Sequence, residues 1–172
     1  MDATRDAPGP DHGPENRTTT IDGVIVSRFP TVGYTYGGLT ELHNERWSGM
    51  FTEPIEHLYV VANDDPSKRE EWYEHRQTTD RYVLLEGAAR VALFDGRPDS
   101  PTSGVLELHD LVSIREGWAG LLIPAGVWHS FRITADRMFL LNAKTPGYDR
   151  ENPDKFRMPM PNERVDFSWD DA

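Results

Sequence analysis

The sequence predicts an all-β protein, built as a sandwich or a closed barrel. About nine or ten short segments rich in β-branched and aromatic residues follow one another at spacings of roughly 8 to 12 residues, with turn-forming residues between them. No persuasive amphipathic helix interrupts them before the C-terminal tail. Short strands at this even spacing are typical of architectures that close or stack their sheets and so leave few exposed edges.

Composition narrows the class of protein further. The 172 residues are enough for one domain with its own core, and the formal net charge of -11 argues against nucleic acid as a partner, because that binding needs clustered Lys and Arg. The chain has no cysteine, which excludes disulfides and thiolate chemistry, and no apolar run of about 18 residues that would span a membrane. We therefore expect a soluble, cytoplasmic protein that has no membrane partner.

The N-terminal residues 1–20 are rich in Pro, Gly, Asp and Thr, and nearly free of large apolar groups, which predicts a disordered tail. The domain is then expected to cover residues 21–172. Two early strands are predicted between residues 21 and 42, and a further strand over residues 55–63. His57 shares a face of that strand with apolar residues, which favours a packing role.

The central and C-terminal segments continue the series. Residues 81–97 read as two strands broken at Glu86 and Gly87, and a loop rich in Pro, Ser and Gly follows. Further strands are predicted over residues 105–114, 121–124, 129–134 and 138–144. The remaining C-terminal tail holds four prolines and many charges, and we expect this extended segment to wrap the barrel or a partner subunit.

Polar side chains interrupt the apolar alternation in one place. His75, Gln77 and Asp80 lie together where a half-buried strand needs no such groups, and His129 follows Pro124-x-Gly126 further along. Alternate residues of a barrel strand point inward, so His75 and Gln77 are expected on one side, with His129 near the same mouth. The pattern predicts a pocket lined by histidines.

Two kinds of chemistry fit such a pocket. His75, Gln77, Asp80 and His129 offer an incomplete ligand set for one divalent metal ion. Alternatively, His75 acts without metal as a general base that removes a proton next to a carbonyl, provided that a donor stabilises the enolate. The residues alone leave both possibilities open.

These motifs resemble those of the cupin superfamily. The first cupin motif is matched by His75-x-Gln77-x-x-Asp80 with Gly87 beyond it, and the second by Pro124, Gly126 and His129. Within the cupins, the chain is similar to the dTDP-4-dehydrorhamnose 3,5-epimerase (RmlC-like) family, from about residue 33 to residue 159. The resemblance implies a jelly-roll β-barrel, usually a homodimer, that acts without metal on a nucleotide-linked 4-keto-6-deoxy sugar.

The resemblance also implies roles for single residues. It makes His75 the base, oriented by an aspartate for which Asp166, Asp170 and Asp171 are candidates by position. The family's lysine near the enolate falls at Asp80, its tyrosine acid at Asn142 and its phosphate-binding arginine at Trp72, while its second tyrosine is kept as Tyr148. Lys144 alternates in phase with Asn142, which makes it a candidate replacement for the lysine.

The sequence thus predicts an isomerase, similar to sugar epimerases, that acts on a carbonyl-bearing small molecule. The alternatives are a metal-dependent cupin enzyme (oxygenase, cyclase or decarboxylase) and a non-catalytic sugar-binding cupin. The expected catalytic residues are His75, Tyr148, Asn142 and Lys144. The expected substrate-binding residues are Gln77, Asp80, Trp72, Arg81, Arg97, His129 and Trp128, although aromatic side chains in a barrel serve more often in packing.

Overall fold

The protein is built almost wholly of antiparallel β-strands. The computed structural model describes residues 12–65 and 71–171. The strands of this part are β1 (Glu15–Thr18), β2 (Ile25–Arg28), β3 (Thr31–Tyr34), β4 (Gly37–Thr40), β5 (His57–Asn63), β6 (Glu71–Glu74), β7 (Thr79–Glu86), β8 (Ala88–Asp95), β9 (Leu106–Val112), β10 (Trp118–Ile123), β11 (Val127–Ile133), β12 (Met138–Thr145) and β13 (Phe156–Pro159). A 3-10 turn, Trp169–Asp171, follows them.

Two sheets face each other, and a separate hairpin lies beside them. The first sheet has six strands in the order β1-β2-β10-β7-β12-β5, and the second has five in the order β13-β6-β11-β8-β9. Strands β3 and β4 form the hairpin. This arrangement confirms the predicted all-β jelly-roll barrel, and the break predicted at Glu86 and Gly87 falls between β7 and β8.

Gly87 makes that break possible. Its φ is 91°, and a Cβ built on it would meet the carbonyl oxygen of Arg137 at 2.1 Å. Any side chain would therefore strain the backbone and collide with the neighbouring chain. The tight turn lets β7 run in the first sheet while β8 runs in the second.

The core fills the space between the sheets. Leu84, Leu93 and Leu121 are among its fully buried side chains, and each contributes about 2 kcal/mol through its removal from water. A second cluster comprises Trp72, Ala92, Phe94, Trp128, Met160, Val165, Phe167 and Trp169. In it the C-terminal segment packs against the outer face of the five-stranded sheet, which confirms that this segment wraps the barrel.

The N-terminal boundary differs from the prediction. Strand β1 pairs with β2, and Glu15 lies opposite Arg28, so ordered structure begins inside the stretch predicted as a tail. Because β1 consists of polar residues, it lacks the apolar alternation that predicts a strand. Residues 1–11 lie outside the described part, so a tail over these residues and a single domain over the rest of the chain stay predictions. Among the described residues, no helix has the length and apolar character needed to cross a bilayer.

Candidate active site

A cavity of about 390 Å³ opens between the two sheets. Strands of both sheets contribute its walls, so residues distant in the sequence meet there. Its lining includes charged, aromatic and apolar side chains: His57, Tyr59, Val61, Asn63, Tyr73, His75, Tyr82, His129, Phe131, Ile133, Met138, Leu140, Lys144, Tyr148, Arg150 and Lys155.

His75 stands where β6 ends and the chain bends toward β7. Its Nδ1 contacts the main-chain carbonyl oxygen of Asp154, an acceptor, so Nδ1 carries the ring proton. Nε2 of the neutral ring then has the free lone pair. This atom lies 3.2 Å from the Lys144 ammonium and 3.4 Å from Oδ2 of Asp80. A base and a cation therefore stand side by side in the cavity.

Asp154 holds the bend that carries His75. Its carboxylate accepts hydrogen bonds from the main-chain N–H groups of Arg76, Gln77 and Thr78, each at 2.9 Å, and from the Thr78 hydroxyl at 2.8 Å. Partial burial opposes ionisation, but these donors prevail and lower the pKa of Asp154. Asp154 thus orients His75 through its own main-chain carbonyl.

Asp166 and Asp170, two of the three aspartates expected to orient His75, are exposed, and the side chain of Asp171 lies outside the described part. The family resemblance implied a carboxylate in contact with the His75 ring. The contact with His75 is instead made by a main-chain atom of Asp154, on the segment before β13.

Asp80 lies at the centre of a buried polar cluster. Its side chain is 1% exposed, and Lys144 lies opposite it in the pairing of β7 with β12. Oδ1 receives hydrogen bonds from the Lys144 ammonium at 3.0 Å and the Asn142 amide at 2.8 Å. Burial favours the neutral acid, but the positive charges that His129 and His75 carry when protonated, the Lys144 ammonium and the hydrogen bond from Asn142 outweigh it and lower the pKa of Asp80. The group is therefore a carboxylate paired with an ammonium.

Asn142 lies behind the cavity wall, without lining it. The main-chain N–H of Arg81 donates to its Oδ1 at 3.2 Å, which fixes the amide orientation. Its Nδ2 then donates to Asp80 at 2.8 Å and to the Tyr59 hydroxyl at 2.9 Å. Asn142, predicted as catalytic, therefore contacts Tyr59 of the cavity lining but does not line the cavity itself.

His129 and Tyr82 form the apolar end of the site. His129 is 3% exposed, and burial lowers its pKa to about 4, so the ring is neutral at neutral pH. Its Nε2 lies 3.4 Å from the Tyr82 hydroxyl. Burial also raises the pKa of Tyr82 well above 10, which keeps the phenol protonated.

The predicted metal ligands do not fit a metal ion. Ligand atoms of His75, Asp80 and His129 lie within 4.8 Å of one another. However, the Lys144 ammonium contacts both His75 and Asp80, and a second cation there would be repelled. Gln77 is exposed and lines a neighbouring cavity of about 180 Å³. The metal-dependent alternative is therefore not supported.

Four residues predicted to bind substrate lie away from the cavity. Trp72 and Trp128 are buried in the second core cluster, because strand alternation turns them away from their neighbours Tyr73 and His129. The buried guanidinium of Arg81 bonds to Glu53 at 2.7 Å and to Thr145 at 2.9 Å. Arg97 forms an ion pair with Asp95 at 2.8 Å. The two tryptophans thus pack on the outer face of the five-stranded sheet, the two arginines pair with carboxylates, and neither described cavity includes any of the four.

Other predicted residues do line the cavities, together with some that the sequence did not single out. His75, His129, Lys144 and Tyr148 meet in the main cavity, and the last two also border the smaller one. His57 and Tyr59 of β5 join them, as does Lys155, whose ammonium lies 4.4 Å from the centre of the Tyr73 ring. Because His57 and Tyr59 are two residues apart in β5, they lie on the same face of the strand. This alternation is the sequence feature that could have indicated both as cavity residues.

Comparison with known proteins gives two curated relatives, whereas no family model matches the sequence. The chain is 30% identical over 135 residues to the probable low-salt glycan biosynthesis epimerase Agl13 of Haloferax volcanii, covering 77% of this chain and 84% of the relative. It is 28% identical over 152 residues to the spore coat polysaccharide biosynthesis protein SpsL of Bacillus subtilis, covering 87% and 96% respectively.

The fold is shared with solved structures at lower identity. One is dTDP-6-deoxy-D-glucose-3,5-epimerase RmlC of Legionella pneumophila in complex with dTDP-4-keto-L-rhamnose. The TM-score is 0.75 at 19% identity, over 91% of this chain and 84% of that one. A dTDP sugar isomerase of Desulfovibrio desulfuricans gives a TM-score of 0.72 at 23% identity, over 89% and 94% respectively.

Proposed function

Because the chain belongs to the RmlC-like family of sugar epimerases, within the cupin superfamily, we propose that it epimerises or isomerises a nucleotide-linked 4-keto-6-deoxy sugar. In this proposal His75 is the general base and Lys144 stabilises the enolate. The observation that carries it is the placement of His75 Nε2 3.2 Å from the Lys144 ammonium at the cavity wall.

The chemistry follows from these two groups. The Nε2 lone pair takes a proton from the carbon next to the ketone, and the electron pair of the broken C–H bond moves onto the carbonyl oxygen. The Lys144 ammonium then neutralises the developing oxyanion in a partly water-excluded cavity. An unpaired Asp80 carboxylate would repel the negative charge of an enolate. Its ion pair with the Lys144 ammonium, 3.0 Å away, offsets that charge.

The cavity mouth supports a phosphorylated ligand. Arg150 and Lys155 line it, and Tyr73 and Tyr148 offer aromatic faces. A guanidinium and an ammonium attract the two phosphates of a nucleotide sugar, which the formal charge of -11 would otherwise repel. The Legionella enzyme named above is in complex with such a ligand, dTDP-4-keto-L-rhamnose.

The cellular setting and assembly belong to the same proposal. We propose a cytoplasmic homodimer, in which a second copy covers exposed apolar side chains. Leu58 and Val60 on the outer face of the edge strand β5 are 56% and 50% exposed, and the hairpin carries exposed Tyr34 and Leu39. Light scattering on the purified protein measures the assembly, and cell fractionation measures the location.

Turnover of TDP-4-keto-6-deoxyglucose, with NMR analysis of the product, tests the proposal. We expect His75→Asn to lower kcat by about 10²–10⁴-fold, because the base is removed. Lys144→Met is expected to lower it by about 10²–10³-fold through loss of enolate stabilisation. His43→Asn, at an exposed histidine outside both cavities, is the control and should retain the rate. A wild-type rate in His75→Asn would refute the role of this base.

A further inference from the structure

Inversion at a carbon needs a second proton source. If His75 removes a proton from one face of the sugar, as the proposed function requires, the new proton must arrive from the other face. His75 belongs to the wall formed by the five-stranded sheet, at the end of β6. The donor should therefore come from the wall formed by the six-stranded sheet.

Four tyrosines line the main cavity, and two of them are engaged elsewhere. The Tyr73 hydroxyl donates to Glu71 at 2.7 Å, and Tyr73 lies on the same sheet as His75. The Tyr82 hydroxyl is directed at His129, 3.4 Å away, in a fully buried position. Tyr59 and Tyr148 are left as candidate donors.

Tyr59 lies on β5, at the edge of the six-stranded sheet, opposite Asn142 in the pairing with β12. The direction of its hydrogen bond is fixed by the Asn142 amide. Because Oδ1 of Asn142 accepts from the Arg81 N–H, the Asn142 Nδ2 must be the donor to the Tyr59 oxygen at 2.9 Å. The proton of the Tyr59 hydroxyl is thus left for a ligand in the cavity.

The other candidate is less well held. Tyr148 is 49% exposed, and its ring lies 5.9 Å from that of His57. Within the described part of the chain, no main-chain or side-chain group donates a hydrogen bond to the Tyr148 hydroxyl. Burial raises the pKa of Tyr59, with Asp80 adding to the effect, so its hydroxyl is protonated at neutral pH.

We propose that Tyr59 is the acid that completes inversion, and that Asn142 is its positioning residue. The O–H bond of Tyr59 breaks, and its proton joins the carbon on the face opposite His75. The electron pair on the enolate oxygen returns to re-form the ketone. The reaction leaves a phenolate on Tyr59, stabilised by the Asn142 N–H, and an imidazolium on His75. Solvent then returns the proton from His75 to Tyr59.

A double measurement in D₂O tests this assignment. TDP-4-keto-6-deoxyglucose is incubated with each variant, and NMR follows deuterium entry and inversion separately. In Tyr59→Phe, we expect inversion to fall by at least about 10²-fold, while deuterium still enters with retention because His75 returns it to the same face. Retained exchange also shows that the variant site is folded.

Tyr148→Phe and Tyr36→Phe are the matched variants. Tyr36, 93% exposed and outside the cavities, should retain both activities. Inversion that persists in Tyr59→Phe would overturn the assignment of Tyr59 but leave the proposed function intact. Loss of inversion in Tyr148→Phe alone would also overturn it, and would identify Tyr148 as the acid. Loss of exchange in Tyr59→Phe would also overturn it, since Tyr59 would then be needed for deprotonation. No exchange by the wild-type protein would refute the proposed function itself.

Discussion

Asp80 and Lys144 face each other on neighbouring strands, so an ammonium lies beside position 80, where the family resemblance implies a lysine. Taking two charges out of water costs several kcal/mol for each ion, and the pair offsets this through its short contact and the amide bond from Asn142. Removing Lys144 alone would leave a buried carboxylate with a weaker set of partners. The buried carboxylate and the buried ammonium therefore depend on each other.

His129 makes the stability of the protein dependent on pH. Its pKa falls from 6.5 to about 4 on folding, so the unfolded chain binds more protons between these values. Stability is therefore full above about pH 6.5 and falls by roughly 3 kcal/mol as the pH drops to about 4. Below the ordinary pKa of 3.8, the lowered pKa of Asp80 removes more stability in the same direction.

Urea unfolding at a series of pH values checks this expectation. His129→Gln should show a clearly smaller loss of unfolding free energy between pH 6.5 and 4 than the wild-type protein. Equal losses in the two proteins would contradict a buried, neutral His129.

At the level of single residues, the sequence singled out His75 and Lys144, which the structure brings together in the cavity, and their roles as base and cation stay proposals. His75 came from an interrupted alternation, and Lys144 from its phase with Asn142. Tyr59 was not predicted, because the pairing of β5 with β12 that gives it a role cannot be read from the local sequence. Trp72 and Trp128 were misplaced, because their positions relative to a motif did not reveal the face of the strand.

The turn between β6 and β7 is the element that positions His75, the proposed base. Asp154 receives three main-chain N–H groups and a hydroxyl there, and its own carbonyl contacts His75. The turn therefore fixes both the tautomer and the direction of the ring. Because a main-chain carbonyl leaves no side-chain signature, the sequence could not reveal this support.

Asp154→Asn tests that element. Loss of the charge and of one acceptor oxygen should lower stability by about 1–3 kcal/mol and kcat by about tenfold, with little change in KM. The pH–rate profile should shift as well, because the hydrogen bond to Nδ1 of His75 is loosened. The control is Asp136→Asn, in the exposed turn before β12. A pH–rate profile like that of the wild-type protein would restrict Asp154 to a structural role.

Most strands were predictable, because alternation of apolar and polar residues marks a strand with one buried face. The exceptions have clear causes. Strand β1 is exposed along its whole length, and β13 is mostly exposed, so neither has an apolar face to recognise. Both are placed by pairing with a neighbour: β1 with β2, and β13 with β6.

In the whole molecule, the two sheets contribute different residues to the site. One wall supplies His75 and His129, and the other supplies Asp80, Lys144 and Tyr59. The C-terminal segment packs on the outer face of the first wall and also carries Asp154, so folding of this segment and orientation of the His75 ring are coupled. The barrel class was predictable, but this division depends on the strand order.

Solvent-deuterium incorporation by chelator-treated wild-type protein is the most direct test of metal-free proton abstraction by His75. TDP-4-keto-6-deoxyglucose is incubated in D₂O, and NMR locates the label. We expect deuterium at carbon adjacent to the ketone, at the same rate with and without chelator, and at least about 10²-fold slower in His75→Asn. Absence of the label, or exchange that requires an added metal ion, would contradict this mechanism.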